Sequence, residues 1–161
     1  MKQGFVKVAS ATPRIRVADP VYNAQVICEQ AKEAAEHGAK IVVFPELCIT
    51  GYTCNDLFLQ ELLLEKAKEA LLTIAEETGQ LETLFLVGLP VDKDGRLYNV
   101  AAVLYRGRIL GMIPKKNIPM YAEFYEGRHF TPGEETVPEY RLGKQVIPFG
   151  SNLLFRCEEL P

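Results

Sequence analysis

Residues 41–52, Ile-Val-Val-Phe-Pro-Glu-Leu-Cys-Ile-Thr-Gly-Tyr, decide the fold class, because an apolar strand here runs directly into a proline and a single carboxylate. The apolar side chains of residues 41–44 are typical of a strand that is buried on both faces of a sheet. Proteins of the α/β class place polar functional side chains at the carboxyl ends of such strands. Glu46 is therefore the first candidate for a functional residue.

The segment before this strand completes a β-α-β unit. Apolar residues within 5–9 predict a first strand, which Thr12-Pro13 ends. Asp19 can cap a helix that has Pro20 in its first position, and apolar residues then recur at helical spacing until His37-Gly38. The pattern indicates an α/β protein.

A second helix and an antiparallel meander follow. Apolar residues at helical spacing predict an amphipathic helix between Leu57 and Gly79, with Leu59 and Leu62 in its apolar stripe. Three further strands are predicted, with turns at Asp94-Gly95 and Arg106-Gly107, over residues 84–91, 98–105 and 108–113. The last of these strands leads directly to Lys115, which is thus a second polar residue at the end of a strand.

The region after Lys115 predicts a long structured loop and then more strand. We expect the aromatic side chains of the loop to be packed away from water, because they are too apolar to be left exposed: Tyr121, Phe124, Tyr125 and Phe130. Strand-like patterning resumes over 146–156, and Cys157 is interpreted as a strand residue rather than a nucleophile.

Composition and charge exclude several classes of function. A chain of 161 residues with 48% hydrophobic content is long enough for one globular domain. Its net charge of −3 comes from interspersed residues with no basic run, which argues against a nucleic-acid partner. The sequence contains no apolar segment of about 20 residues and no extended apolar signal region, so we expect no membrane partner and a cytoplasmic location.

The cysteines and histidines do not predict a metal site. Cys28, Cys48, Cys54 and Cys157 include no C-x-x-C pair, and His37 and His129 are not spaced as helical ligands. We expect four reduced thiols that mostly pack as small hydrophobic side chains.

Glu46 and Lys115, 69 positions apart, are candidates for a general base and an electrostatic stabiliser facing one pocket. The same spacing is compatible with a structural ion pair or with two solvated loop residues. From the spacing alone, both interpretations remain open.

Several motifs, occurring in the same order, resemble the nitrilase or carbon-nitrogen hydrolase superfamily. They are Phe44-Pro45-Glu46-Leu47, Gly51-Tyr52, Pro114-Lys115, Ile118-Pro119 and Tyr121. A narrower resemblance, to the amino-terminal glutaminase domains of glutamine-dependent NAD synthetases, rests on residues 98–104, 111–115 and 121–126 together with Arg128 and Phe130. The likeness extends from Phe5 to the end of the chain.

The resemblance implies an α/β fold, the nitrilase-like α-β-β-α sandwich, which is incomplete in this chain. Residues 1–161 would be the amino-terminal part of the glutaminase domain, with its remainder and the synthetase domain absent. The family also implies a homo-oligomer, and a partner in the carboxyl-terminal synthetase domain of the same chain. ATP and Mg would bind in that absent domain, and no cofactor is expected in this one.

The resemblance also implies roles for individual residues. Glu46 would take the proton of a catalytic thiol, and Lys115 would stabilise the oxyanion formed when that thiol attacks the side-chain amide of glutamine. Glu126 would orient the lysine; the alternative is a loop carboxylate paired with Arg128. Tyr52 and Tyr121 would line the glutamine pocket, although packing alone would also explain two tyrosines.

The nucleophile of the family, in a Gly-x-x-Ile-Cys-Glu-Asp type of sequence, does not occur in this chain. We therefore expect the chain alone to be unable to hydrolyse glutamine. The complete enzyme would supply ammonia from glutamine for the ATP-dependent amidation of deamido-NAD to NAD. The alternatives are a stand-alone amidase or nitrilase, and a non-catalytic assembly module.

Overall fold

Two α-helices lie on one face of a five-stranded sheet, and a two-stranded sheet packs beside its last strand. This architecture is seen in a computed structural model that describes residues 4–136 and 138–158. The elements, in chain order, are β1 (Val8–Ser10), α1 (Pro20–Glu36), β2 (Ile41–Val43), a 3₁₀ segment (Tyr52–Leu59), α2 (Glu61–Glu77), β3 (Leu84–Lys93), β4 (Arg96–Tyr105), β5 (Arg108–Pro114), a 3₁₀ turn (Glu126–Arg128), β6 (Glu139–Leu142) and β7 (Gln145–Pro148).

The predicted β-α-β unit is present. Asp19 caps α1 by accepting a hydrogen bond of 3.1 Å from the backbone N–H of Tyr22, and Pro20 occupies the first helical turn. The helix ends at His37, as predicted. β1 pairs in parallel with β2, and β2 pairs in parallel with β3. Right-handed crossovers between neighbouring parallel strands place both helices on the same face.

The remaining strands of the large sheet form the predicted antiparallel meander. Asp94-Gly95 and Arg106-Gly107 make the tight turns, and all four residues have positive φ, as two-residue hairpins require. β5 ends at Pro114, so Lys115 leaves the sheet where the sequence places it.

The main core fills the space between the sheet and the helices. Ile27 of α1 and Leu71 and Ile74 of α2 are fully buried there. They face a set of strand side chains that are at most 1% exposed: Val42, Phe85, Val87, Leu89, Val100, Ala102, Leu104 and Met112. Burial of this alternating set of side chains is the main force that fixes the register of the sheet.

The opposite face of the sheet is less well covered. Val43 of β2 is 43% exposed, so the prediction that this strand is buried on both faces is wrong for the chain as described. Both helices lie on the other side. Farther along the sheet, the side chains of Leu153 and Phe155 lie over Gly111 of β5.

The second helix starts later than predicted. α2 begins at Glu61, and the 3₁₀ segment precedes it. Leu59 and Leu62, which the sequence places in the apolar stripe, are 66% and 70% exposed. Leu63, which is also predicted in the stripe, is buried together with Leu64, because the start of α2 packs on a second apolar cluster that includes Phe58 and Phe130. Neither helix is long and apolar enough to cross a membrane, as far as the described residues show.

The carboxyl-terminal segment contains less strand than predicted. β6 and β7 form a hairpin, and residues 152–157 have no regular secondary structure. Cys157 is exposed and lies outside any strand, so its interpretation as a strand residue is wrong. Leu153 and Phe155 place their side chains over β5, but residues 152–157 are not paired with it as a strand.

Candidate active site

Glu46 and Lys115, 69 residues apart in sequence, form an ion pair in the structure. Glu46 follows β2 and Lys115 follows β5, and their Oε1 and Nζ atoms are 2.7 Å apart. Glu126 lies on the other side of the ammonium group, with its Oε1 and Oε2 atoms 3.0 and 2.9 Å from Nζ. One cation thus contacts two carboxylates.

A strained turn holds Glu46 at the end of its strand. Leu47 is fully buried, yet it has a φ of 52°, in the left-handed region that residues other than glycine rarely adopt. Its carbonyl accepts a 2.7 Å hydrogen bond from the N–H of Gly51. The N–H of Ile49 donates a 3.1 Å bond to the carbonyl of Gly88. The burial of Leu47 and these two hydrogen bonds hold the turn in one conformation, and this fixes the position of Glu46.

Gly88 of β3 permits the close approach of this turn. A β-carbon built on Gly88 would lie 2.6 Å from the carbonyl oxygen of Pro45, 2.9 Å from the carbonyl carbon of Glu46, and closer still to the backbone nitrogen of Leu47. Only a residue without a side chain fits here. The sequence analysis did not identify this requirement.

Main-chain hydrogen bonds hold Lys115. Its N–H donates to the carbonyl of Asn99 at 2.7 Å, and its own carbonyl accepts from the N–H of Gly133 at 2.9 Å. The neighbouring Lys116 is directed elsewhere and pairs with Glu135, at 2.5 Å, where both side chains are exposed. The two lysines therefore have separate environments, and Lys116 is a surface charge.

Glu126 is a buried carboxylate in the 3₁₀ turn. Its side chain is 5% exposed, and the hydroxyl of Tyr52 donates to its Oε1 at 2.9 Å. The alternative pairing with Arg128 is not found, because that guanidinium group pairs with Asp56 at 3.1 Å. Tyr52 and Asp56 both belong to the 3₁₀ segment, so this segment holds the turn that carries Glu126.

Both carboxylates influence the protonation of Lys115. Burial alone disfavours its ammonium form, but the hydrogen bonds and charges of Glu46 and Glu126 outweigh burial and raise the pKa of Lys115 above its ordinary value. A raised pKa in the folded state stabilises the protein below the unfolded-state pKa, and this contribution is lost as pH rises through the folded-state value. Because its pKa is raised, Lys115 remains a cation throughout the neutral range.

Burial, followed by the hydrogen bond to Glu126, raises the pKa of Tyr52 to about 12. The phenol therefore stays protonated and remains a hydrogen-bond donor to the carboxylate at neutral pH.

Asn99 is a member of the site that the sequence analysis did not single out. Its Nδ2 donates a hydrogen bond to Oε1 of Glu46, and the residue is 4% exposed. Asparagine is depleted in strands, and its position within the apolar sequence of β4 was the signal that could have identified it.

The structure does not join Tyr121 to this network. Its side chain is 69% exposed, and its ring packs edge-on against Phe124, with the centroids 5.5 Å apart. Among the loop aromatics predicted to be packed, Phe130 is buried and Phe124 is half-buried, whereas Tyr125 is 69% exposed. The expectation of burial is therefore wrong for both tyrosines, because a phenol hydroxyl can remain hydrated. The substrate-binding role of Tyr121 remains a prediction.

The cysteines near Glu46 in sequence are not arranged as nucleophiles. The thiol of Cys48 lies 3.6 Å from the carbonyl oxygen of Gly88, and that of Cys54 lies 3.1 Å from the carbonyl oxygen of Thr50. Burial raises the pKa of Cys48 to about 11 and also raises that of Cys54. Within residues 4–136 and 138–158, no cluster of three His, Cys, Asp or Glu side chains could hold a metal ion.

Alkylation distinguishes the four thiols. Treatment of the folded protein with iodoacetamide at about pH 8 is expected to modify Cys157 and to leave Cys28, Cys48 and Cys54 intact, because the last three are buried and protonated. Peptide mass spectrometry measures the modification. In denaturant all four should react; modification of Cys48 in the folded protein would contradict its assignment as an inert core thiol.

Comparison with known proteins identifies a family and several relatives of this chain. Residues 7–152 match the carbon-nitrogen hydrolase family. A glutamine-dependent NAD(+) synthetase of Mycobacterium bovis is 39% identical over 160 residues, which cover 99% of this chain and 24% of the relative. This chain thus spans about a quarter of the length of that relative.

Solved structures share the fold. A glutamine-dependent NAD(+) synthetase from Cytophaga hutchinsonii superposes with a TM-score of 0.88 at 28% identity, over 96% of this chain and 26% of that one. An amidase from Nesterenkonia sp. superposes with a TM-score of 0.68 at 24% identity, over 92% of this chain and 56% of the amidase. The second likeness supports the common fold only.

Proposed function

Because this chain belongs to the carbon-nitrogen hydrolase family, we propose that it is the first part of a glutaminase domain in a glutamine-dependent NAD synthetase. The complete enzyme releases ammonia from glutamine and uses it to convert deamido-NAD to NAD at the expense of ATP. The observation that carries this proposal is that one ammonium group, that of Lys115, contacts the carboxylates of Glu46 and Glu126. Glu46 and Lys115 follow the ends of sheet strands, and Glu126 lies in the 3₁₀ turn.

In the proposed reaction, Glu46 accepts the proton of a cysteine thiol, and the resulting thiolate attacks the side-chain amide carbon of glutamine. The carbonyl oxygen becomes an oxyanion, which the ammonium group of Lys115 stabilises. Collapse of this intermediate breaks the C–N bond, and Glu46 returns the proton to the departing ammonia. Water then attacks the thioester, with Glu46 again taking a proton. The C–S bond breaks, glutamate is released, and Glu46 returns the proton to the cysteine sulfur.

The charges of the site suit this sequence. Glu46 and Glu126 carry two negative charges and Lys115 carries one positive charge, so the resting network has a formal charge of −1. Transfer of a proton to Glu46 leaves the pair of Lys115 and Glu126 intact and generates a thiolate without adding net charge to the site. Tyr52 supports this by keeping a hydrogen bond on Glu126 when the proton moves.

The nucleophile in this proposal comes from outside residues 1–161, since the cysteine motif of the family does not occur in this chain and the thiols of Cys48 and Cys54 are buried against backbone carbonyls. The adenylating chemistry, with ATP and Mg²⁺, belongs to a synthetase domain in the same longer chain. The length of the relative, about four times that of this chain, supports this further domain. The homo-oligomeric assembly remains a prediction.

Isotope transfer tests the proposal. The complete protein is incubated with ATP, Mg²⁺, deamido-NAD and glutamine labelled with ¹⁵N in its side-chain amide, and NAD is examined by mass spectrometry. We expect the label in the carboxamide of NAD, and no release of ammonia by the 161-residue chain alone. Unlabelled ammonia supplied in place of glutamine should also give NAD and controls for the synthetase step.

Other outcomes separate the alternatives. Hydrolysis of simple amides without formation of NAD would indicate a stand-alone amidase. Ammonia-dependent synthesis with no use of glutamine would indicate that this part of the chain is a non-catalytic assembly module. Hydrolysis of glutamine by the isolated chain would overturn the assignment of the nucleophile to another segment.

A further inference from the structure

Asn99 connects the two halves of the charged network. It lies in the central part of β4, opposite Pro90 of β3, and only 4% of its surface is exposed. Its backbone carbonyl accepts the 2.7 Å hydrogen bond from the N–H of Lys115, and its side-chain amide donates to Glu46. A single residue of the sheet therefore sets the relative positions of the cation and the carboxylate that it contacts.

The two oxygens of Glu46 differ as a result. Oε1 accepts from both Asn99 and Lys115, the latter at 2.7 Å. Oε2 has no hydrogen-bond partner among residues 4–136 and 138–158. The amide thus fixes the rotation of the carboxylate so that one oxygen is occupied and the other is directed away from the two donors.

Asn23, another buried asparagine, has a structural role that can be compared with that of Asn99. Asn23, which is fully buried, donates to the backbone carbonyls of Arg16 and Ile49 at 2.7 and 2.9 Å and accepts from the N–H of Arg16 at 2.7 Å. These bonds hold two loops together through main-chain atoms. The amide of Asn99 instead donates to an ionisable side chain, which by the proposed function is the proton carrier.

We propose that Asn99 is a positioning residue for proton transfer: its amide holds Glu46 in one rotamer, with Oε2 presented as the oxygen that exchanges the thiol proton. This inference rests on the proposed glutaminase function. A neutral amide suits the task, because it donates to the carboxylate at every pH without competing for the proton.

Two substitutions in the complete enzyme test the inference. Asn99→Ala removes the donor, and Asn99→Asp keeps the shape while replacing the donor by a carboxyl group. We expect Asn99→Ala to lower the glutaminase kcat about 10- to 100-fold, the range for loss of a hydrogen bond to a charged group, with KM for glutamine changed less than about twofold. Asn99→Asp should be more severe, since its charge would repel Glu46; a role in packing alone predicts the reverse order.

Ammonia-dependent synthesis provides a second readout. Ammonia-dependent NAD synthesis by the same variants should equal that of the wild type. If Asn99→Asp does not fold, Asn99→Ala still provides both readouts.

Thr83→Val is the matched control. It removes a buried hydrogen bond, of 2.8 Å to the carbonyl of Ala39, just before β3. We expect it to lower the melting temperature without altering kcat or KM.

A wild-type kcat in Asn99→Ala, a loss confined to KM, or an equal loss of ammonia-dependent synthesis would each overturn the positioning role. If the wild-type enzyme does not hydrolyse glutamine, the proposed function fails and this inference fails with it. If the wild type hydrolyses glutamine and the Asn99 variants hydrolyse it equally well, the inference fails and the proposed function stands.

Discussion

Replacement of Lys115 by methionine in the complete enzyme is expected to lower the glutaminase kcat by about 1,000-fold or more, while ammonia-dependent NAD synthesis persists. The ammonium group contacts Glu46 at 2.7 Å and Glu126 at 2.9 Å, and methionine keeps the length of the side chain without its charge. The site would lose its oxyanion donor, and two carboxylates would be left without the cation between them. Losses of this size are typical when an electrostatic stabiliser and a proton carrier are disturbed together.

Lys116→Met is the control for this change, because it removes a neighbouring ammonium group that pairs with an exposed carboxylate, Glu135. It should leave both activities near the wild-type level. Glu46→Gln should resemble Lys115→Met, and the double variant should be little worse than either single one, since residues that act as a unit are not additive. Equal losses in Lys115→Met and Lys116→Met, or full glutaminase activity in Lys115→Met, would contradict the assignment.

Substitution of Gly88 by alanine is expected to destabilise the protein by about 3 kcal/mol or more and to abolish glutaminase activity. The new methyl group would lie 2.6 Å from the carbonyl oxygen of Pro45 and would overlap the backbone of residues 46–47. These are main-chain atoms of a strained turn in which Leu47 is fully buried, so they cannot move aside as a flexible side chain can. The turn would have to leave β3, and Glu46 would move with it.

Gly127→Ala provides the matched measurement of stability. A β-carbon there would also meet a neighbour at very short range, but that neighbour is the sulfur of Met120, whose side chain is 61% exposed and free to rotate. Thermal unfolding of the two variants should therefore differ by several degrees, with Gly88→Ala much the lower. Similar melting temperatures for Gly88→Ala and the wild type would show that the turn is not held against β3 as described.

Much of the fold was predictable because its signals are local. Asp19-Pro20 predicted the start of α1, and Asp94-Gly95 and Arg106-Gly107 predicted the hairpin turns, each through the conformational preferences of adjacent residues. The predictions failed where burial depends on distant partners. Leu62 has the helical spacing of a core residue but faces solvent, and Tyr121 is aromatic but exposed.

The candidate site was predictable only in part. Glu46 and Lys115 each follow an apolar strand, and this made them candidate site residues. Their spacing in the sequence could not distinguish a shared site from two separate loops. Family motifs added Glu126 and Tyr52, which the structure places in the same network. Asn99 lies within the family motif 98–104 and is polar within an apolar strand, but neither feature shows that its amide reaches Glu46.

Local signals in the sequence predict most of the helices and turns of this protein and the strand ends at which its charged residues lie, since caps, turns and hydrophobic periods act over a few residues. Which of those residues meet depends on the tertiary structure. Glu46 and Lys115 are 69 residues apart, Asn99 and Glu46 are 53 apart, and Tyr52 and Glu126 are 74 apart. Contacts at such separations depend on the order and register of strands in the sheet and on the close packing at Gly88. The physical reason is that hydrogen bonds and ion pairs require ångström-scale placement, which a buried sheet provides and a local sequence pattern does not.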